Sequence, residues 1–377
     1  MINSEYFVKE LLKNDIDFFS GVPDSLLKNV CYYIEDNIPK KQHIIAANEG
    51  NALSIGIGYH LATNKVPLIY MQNSGLGNVV NPLMSLADKE IYSIPMLMMI
   101  GWRGEPGVKD EPQHIKQGRV MIDTLNVMEI PHYTISADTS EKELSEILKK
   151  SINETIKNQN PVALLVKKGT FDSYKLQSTL SKNFEMSREG ALKVLVNNLN
   201  EEDIVVSTTG VTSRELFEYR EELNQSHKQD FLTVGGMGHA NQIALGIAVQ
   251  KPNKTIYCFD GDGAMLMHTG SLAINGNIGC KNFKHILLNN GVHDSVGGQQ
   301  TASFNIDTIE MMKSFGYKWV QSVETKKELE KKIKMMKSVD GPAFLEIKVN
   351  PGFRKDLGRP TTTPLENKLS LMKHINS

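Results

Sequence analysis

Short runs of nearly continuous apolar residues alternate with longer stretches of mixed polarity along the whole chain. In the first half the apolar runs are Ile16–Ser20, His43–Ala47, Pro67–Met71, Pro95–Gly101, His132–Ile135 and Val162–Lys167. The second half continues with Ile204–Thr208, Phe231–Val234, Thr255–Phe259, His285–Asn289, Trp319–Ser322 and Ala343–Val349. Such runs predict strands covered on both faces by helices, the pattern of parallel sheets. Stretches such as Ser4–Asn14 and Glu141–Asn158 supply the helices between them, so the chain predicts an α/β fold.

The two halves close alike. Ser140–Gly169 runs through a charged helix into QNPVALLVKKG, and Thr325–Gly352 runs through another into DGPAFLEIKVNPG. The repeat at the same relative position predicts a duplicated, doubly wound architecture. The polar stretch Asp172–Arg188 carries neither strand nor amphipathic pattern. The expected division is therefore a first domain over residues 1–172, a linker over 173–188 and a second domain over 189–377.

Composition narrows the classes. With 40% hydrophobic and 23% charged residues, 377 residues suffice for two packed domains. A formal net charge of -1 gives no electrostatic reason to expect nucleic acid or a membrane surface as partner. The amino terminus, MINSEYFVKELLKNDIDFF, is charged throughout and does not read as an export signal. The apolar stretch Pro95–Gly101 is too short to span a bilayer. Cys31, Cys258 and Cys280 form no CxxC pair, which fits a reduced, cytoplasmic setting better than a zinc site.

The candidate chemistry begins after strand Thr255–Phe259, at Asp260-Gly261-Asp262-Gly263-Ala264. A glycine turn between a strand's carboxyl end and a helix's amino terminus turns backbone N–H groups toward any phosphate there. The acidic Asp262 would repel that phosphate unless a cation lay between them. A second strand end follows at Asn289-Asn290-Gly291. A carboxylate and a side-chain amide are hard oxygen ligands, and with diphosphate oxygens they suit octahedral Mg²⁺. Asp260 shapes the turn or merely caps it.

Here the sequence resembles the thiamine-diphosphate enzyme family, whose signature is GDG, a long spacer and NN. The spacer in this chain, Ala264 to Leu288, is 25 residues. The resemblance implies two doubly wound parallel-sheet domains, one binding the pyrimidine and one the diphosphate, and no middle domain. It implies thiamine diphosphate and Mg²⁺ as cofactors, the metal held by Asp262, Asn290 and the Val292 carbonyl. Gly261, Gly263 and Ala264 would line the diphosphate. Thr209 and Gly210, within Ser207-Thr208-Thr209-Gly210 at another strand end, would form a further lip of the same site.

Two further elements match the family. Ala46-Ala47-Asn48-Glu49-Gly50-Asn51-Ala52, leading into a small-residue helix, places Glu49 as the buried acid that activates the pyrimidine. The bland alternative is a surface N-cap. In Gly235-Gly236-Met237-Gly238, Met237 would buttress the bent cofactor and the Gly235 carbonyl would accept from its amino group. Met237 as ordinary core is the competing reading. In the relatives the two domains meet across a subunit interface, so the resemblance implies a homodimer or a larger assembly.

Having only two domains' worth of residues points to the small branch acting on phosphonopyruvate and sulfopyruvate. The loops Gly101–His114 (GWRGEPGVKDEPQH) and Asn289–Ser295 (NNGVHDS) resemble the phosphonopyruvate side of it. The implied activity is non-oxidative decarboxylation of 3-phosphonopyruvate, through the cofactor's ylid and enamine states, to phosphonoacetaldehyde and CO₂. A small anionic 2-oxo acid needs cationic or N–H donors, for which Arg103, Lys109, His114 and Lys116 are candidates, Lys116 more as a solvated charge. Asp24 and Ser25, after Gly21-Val22-Pro23, read equally as proton-transfer and substrate residues or as a helix N-cap. The loop Asn73–Asn78 lines the pocket or only turns the chain. His293, close after the Asn pair, is expected near the reacting centre.

Three rivals remain. Sulfopyruvate or another short anionic 2-oxo acid keeps the chemistry. A nucleotide-binding α/β oxidoreductase changes it, but no G-x-G-x-x-G follows the first strand. A non-catalytic cofactor-binding protein would have no need of Glu49.

Overall fold

Each apolar run becomes a strand. In the computed structural model, which describes residues 1–178 and 182–377, these are β1 (Phe19–Gly21), β2 (His43–Ile45), β3 (Leu68–Gln72), β4 (Leu97–Gly101), β5 (His132–Ile135) and β6 (Val162–Val166) in the first half. The second half holds β7 (Ile204–Ser207), β8 (Asp230–Leu232), β9 (Ile256–Gly261), β10 (Phe283–Asn289), β11 (Trp319–Val323) and β12 (Ala343–Lys348). The chain divides into two compact units, Met1–Thr179 and Leu180–Ser377. Of the expected linker 173–188, residues 179–181 lie outside the described residues. Asp172 still belongs to the first unit's packing, where its carboxylate accepts from Ser4 N at 3.0 Å and Asn3 Nδ2 at 2.9 Å. A helix of the second unit already begins at Arg188, with the Ser187 hydroxyl as its cap.

The first sheet runs in the order β2-β1-β3-β4-β6-β5, the second β8-β7-β9-β10-β12-β11, and every strand pair is parallel. Counted from its own first strand, each sheet reads 2-1-3-4-6-5. Parallel neighbours require helical crossovers, and these cover both faces. In both sheets the winding reverses between the first and third strands, β1 and β3 or β7 and β9. That reversal opens a crevice at the carboxyl ends of the strands, where sheets of this type bind ligands.

Each sheet has two cores because successive side chains point to opposite faces. In the first, Leu68, Tyr70, Leu97 and Met99 pack on one side while Ile69, Met71, Met98 and Ile100 pack on the other, all fully buried. The second alternates likewise, with Val205, Tyr257 and Phe259 against Ile204, Val206 and Cys258. The edge of the second sheet is covered by the C-terminal helix Pro364–Ile375. Its Asn367 accepts from Leu232 N at 3.1 Å and donates to Asp230 O at 2.8 Å, satisfying the outer side of β8. Among the described residues no helix is long and apolar enough to cross a membrane.

Candidate active site

At the crevice of the second sheet, the ends of β7, β9 and β10 surround a cavity of about 100 Å³. Thr209, Met237, Gly261, Asp262, Gly263, Ala264, Asn290, Val292 and His293, named separately from sequence, all line it. Gly235 and Gly210 join them: Gly235 N donates to Thr209 Oγ1 at 2.8 Å, and a Cβ on Gly210 would come within 2.6 Å of Ser295 Oγ. Gly210 (φ 93°) opens the helix Val211–Glu222. Gly235, Gly236 and Gly238 have φ of 77°, 59° and 87°, a left-handed path that side chains resist. That path holds the half-buried Met237 at the cavity wall.

Asp262 is 2% exposed. Its Oδ2 accepts from the hydroxyls of Thr301 and Ser303, and burial pushes its pKa up to about 6 against the pull of those donors and of the Asn290 backbone N–H. Its neighbour Asp260 lies inside β9 and shapes the turn, accepting from Gly261 N at 3.0 Å and meeting His285 Nε2 at 3.3 Å, fully buried. Asn289 faces the sheet, donating to Glu346 Oε1 at 2.8 Å, while Asn290 turns to the cavity and donates to Asp294 Oδ2 at 2.7 Å. His293 packs on Gly263, where a Cβ would come within 2.9 Å of the imidazole, and burial lowers its pKa to about 4.

The donor set fits a metal-bridged diphosphate. Arg188, Asp262 and Asp294 are the charged residues lining this cavity once His293 is neutral, so the wall carries one excess negative charge. A bare diphosphate would be repelled, whereas a divalent cation between it and Asp262 turns the repulsion into attraction. Carboxylate, amide and carbonyl oxygens are the ligands a hard cation takes. Gly261, Gly263 and Gly210 leave backbone, not side chain, against that space.

In the first unit the carboxyl ends of β1 to β4 carry a second polar rim. Glu49, 5% exposed, opens the helix Glu49–Thr63 under an Asn48 cap. It is not a surface cap residue: its Oε2 accepts from Asn78 Nδ2 at 2.6 Å, and Gly75 packs so closely that a Cβ there would come within 2.5 Å of Oε1. The segment Asn73–Asn78, a 3-10 turn (Asn73–Gly75) running into the helix Leu76–Pro82, therefore holds Glu49. It also reaches Asp24, because Gln72 donates to Asp24 Oδ1 at 2.6 Å and accepts from the Ser74 hydroxyl at 2.7 Å. Asp24 is fully buried, caps Leu26 N at 2.9 Å and Leu27 N at 3.3 Å, and has its pKa raised by burial.

Arg103 is already engaged. It forks onto Asp110 through Nε and Nη2 and donates from Nη1 to Ser25 Oγ at 2.7 Å. Despite burial, which opposes ionisation, the guanidinium holds Asp110 well below the usual carboxylate range. Arg103 and Ser25 thus come together, with most of Arg103's charge answered by Asp110. Lys109 and Lys116 are exposed. His114 is half-buried, and its carbonyl lies against Gly104 (φ 68°), where a Cβ would come within 1.9 Å.

Sequence reasoning passed over Asn78, Gln72, Arg188, Asp294, Thr301 and Ser303. Asp294 stood beside the Asn pair and Asn78 inside a loop already singled out. Arg188 looked like the end of a linker, yet it is 5% exposed and lines the cavity.

Residues 1–126 match the family model "Thiamine pyrophosphate enzyme, N-terminal TPP binding domain", and residues 208–347 match "Thiamine pyrophosphate enzyme, C-terminal TPP binding domain". A phosphonopyruvate decarboxylase from Streptomyces viridochromogenes is 32% identical, covering 97% of this chain and 93% of the relative. The chain belongs to the thiamine pyrophosphate enzymes. Thiamine pyrophosphate is another name for thiamine diphosphate. A second family member, phosphonopyruvate decarboxylase from Streptomyces hygroscopicus, is 31% identical over 97% of this chain and 92% of its own. Sulfopyruvate decarboxylase from Methanosarcina acetivorans is 28% identical over 93% and 92%. Within the family frame, Glu49 lies in the N-terminal match and the cavity residues Thr209 to Val292 in the C-terminal one, while Arg188 falls outside both.

Proposed function

We propose that this enzyme decarboxylates 3-phosphonopyruvate to phosphonoacetaldehyde and CO₂, using thiamine diphosphate and Mg²⁺. The observation that carries the substrate is the end-to-end similarity to two phosphonopyruvate decarboxylases, each matched over more than nine-tenths of both chains. Loss of CO₂ from a 2-oxo acid leaves an electron pair with nowhere stable to go, and bound thiamine diphosphate supplies the sink for it.

This chain's residues supply position and charge. Asp262, Asn290 and the Val292 carbonyl hold Mg²⁺, and the backbone at Gly261, Gly263, Ala264, Thr209 and Gly210 receives the diphosphate. The Gly235 carbonyl and Met237 would hold the cofactor's pyrimidine side, Gly235 as a hydrogen-bond acceptor and Met237 as an apolar buttress. Glu49 would hold the proton that activates the pyrimidine, and Asn78 keeps its carboxylate on station. The first unit (residues 1–172 by the sequence division) is the pyrimidine-binding domain and the second, from residue 189, the diphosphate-binding domain. Arg103, Ser25 and Lys109 receive the phosphonate, with Asp110 fixing the guanidinium plane. Asp24, His114 and His293 are the groups placed to move protons, His293 as the neutral imidazole. The assembly is a homodimer or larger. A cytoplasmic setting is supported by three free cysteines, Cys31 and Cys258 of them buried.

Release of CO₂ measured across a panel of phosphonopyruvate, sulfopyruvate and pyruvate, with both cofactors present, tests the assignment. Preference for phosphonopyruvate supports it, and turnover of sulfopyruvate alone replaces it with the reading that the Methanosarcina relative favours.

A further inference from the structure

The hydrogen bonds around Asn290 run in one direction. Its Nδ2 donates to Asp294 Oδ2 at 2.7 Å, and its Oδ1 accepts from Val292 N at 3.1 Å. Asp294 is itself clamped. Arg188 Nη1 donates to its Oδ2 at 2.8 Å, and Gly352 N donates to Oδ1 at 3.0 Å and Oδ2 at 3.1 Å. Arg188 cannot swing away, because its Nε and Nη2 fork onto Glu215 at 2.9 and 3.2 Å and Nη2 also reaches Gly352 O at 3.4 Å. Segments 106 and 58 residues from Asp294 in sequence therefore converge on one carboxylate beside the Asn pair.

An amide has two ends of nearly equal shape, and only its oxygen ligates a hard cation. A carboxylate accepts and does not donate. With Asp294 fixed, turning the Asn290 amide over would set oxygen against oxygen, so the amide keeps its nitrogen toward Asp294 and its oxygen off that side. The clamp does this without bringing a net positive charge near the cation: one guanidinium is answered by two carboxylates, Glu215 and Asp294. We propose that Asp294, held by Arg188 and Gly352, is the positioning residue that presents the Asn290 carbonyl oxygen to the divalent cation. The proposal rests on the cofactor reading above. Arg188 and Gly352 lie on either side of the segment 208–347 that matches the family domain, so the clamp is built from residues that flank that domain.

The test uses the full chain with thiamine diphosphate and Mn²⁺ in place of Mg²⁺, following bound metal by electron paramagnetic resonance. Loss of a group that orients a metal ligand weakens metal binding about 10- to 100-fold. Asp294→Ala is expected to raise the Mn²⁺ half-saturation by that factor while the Arg188–Glu215 fork keeps the chain folded. The same change in an Asn290→Asp background should cost much less, because a carboxylate ligand has no wrong end to select. A merely structural role would lower binding by a comparable factor in both backgrounds. Equal losses, or an unchanged half-saturation in folded Asp294→Ala, overturn the proposal. Should Asp294→Ala not fold, Asp294→Asn serves: it keeps an acceptor for Asn290 but loses its charge, and an intermediate half-saturation is expected, an unchanged one fatal. If the unaltered chain takes up no Mn²⁺ at all, the cofactor reading itself fails, a result distinct from failure of the clamp alone.

Discussion

Asn78→Ala probes the link between the helix after β3 (Leu76–Pro82) and Glu49. It removes a single donor, Asn78 Nδ2 to Glu49 Oε2 at 2.6 Å, from an acid that is 5% exposed. A hydrogen bond to a charged group is worth about 1.5–3 kcal/mol. If that energy holds the carboxylate where it shares the pyrimidine proton, its loss slows activation about 10- to 150-fold, at about 1.4 kcal/mol per tenfold. The direct assay is exchange of the cofactor's C2 hydrogen in deuterated buffer, quenched in acid and read by NMR, which reports activation apart from substrate binding. The same deletion leaves a buried acceptor one donor short, a folding cost of about 1–3 kcal/mol. That corresponds to a fall in Tm of about 2–12 °C for a domain this size. Exchange at the unaltered rate in a folded, cofactor-saturated Asn78→Ala protein would refute the reasoning, because Glu49 would then need no help from Asn78.

Gly75→Ala should be more damaging than its size suggests, since the new Cβ would come within 2.5 Å of Glu49 Oε1 and must displace it; C2 exchange and kcat should fall together with little change in Mg²⁺ affinity. Apparent Mg²⁺ affinity should be flat above about pH 7 and fall up to tenfold per unit below about pH 6, because the proton competes for Asp262, whose pKa is pushed up to about 6. The sign for metal-free folding is opposite: a raised carboxylate pKa means the folded state holds its proton more tightly, so this group's contribution grows as pH falls from about 6 toward 3.8, which a series of metal-free unfolding curves would check. Arg103→Lys, which cannot fork onto Asp110 and still reach Ser25, should raise KM for phosphonopyruvate about tenfold or more while leaving cofactor affinity near normal, as steady-state kinetics and calorimetry would show.

The strands were legible because parallel strands under helices are apolar on both faces, and the halves betrayed their duplication by closing alike. Strand ends were less so: Ile16 and Phe18 are buried, yet the ladder of β1 starts at Phe19, since burial continues where pairing does not. The cavity residues of the second unit could be named because the glycine turns and the Asn pair are local signals, each readable within a few residues. The clamp on Asn290 was not readable. Arg188 meets Glu215 and Asp294 at separations of 27 and 106 residues, and a lone arginine after a polar stretch looks like solvent-exposed linker. The partner of Arg103 was equally hidden, because Asp110 lies seven residues along a loop, where no periodic rule pairs side chains. Cys258, Asp260 and His285 looked unrelated, but alternation along β9 and the register Cys258 to His285 bring their ligand atoms within 4.8 Å of one another in the core.

Isothermal titration of thiamine diphosphate into the full chain, with and without Mg²⁺, bears on everything else. Saturable uptake of one cofactor per chain that requires Mg²⁺ and is abolished by Asp262→Ala is the predicted result. No uptake in the presence of the metal, or uptake of equal strength without it, would contradict the account at its root.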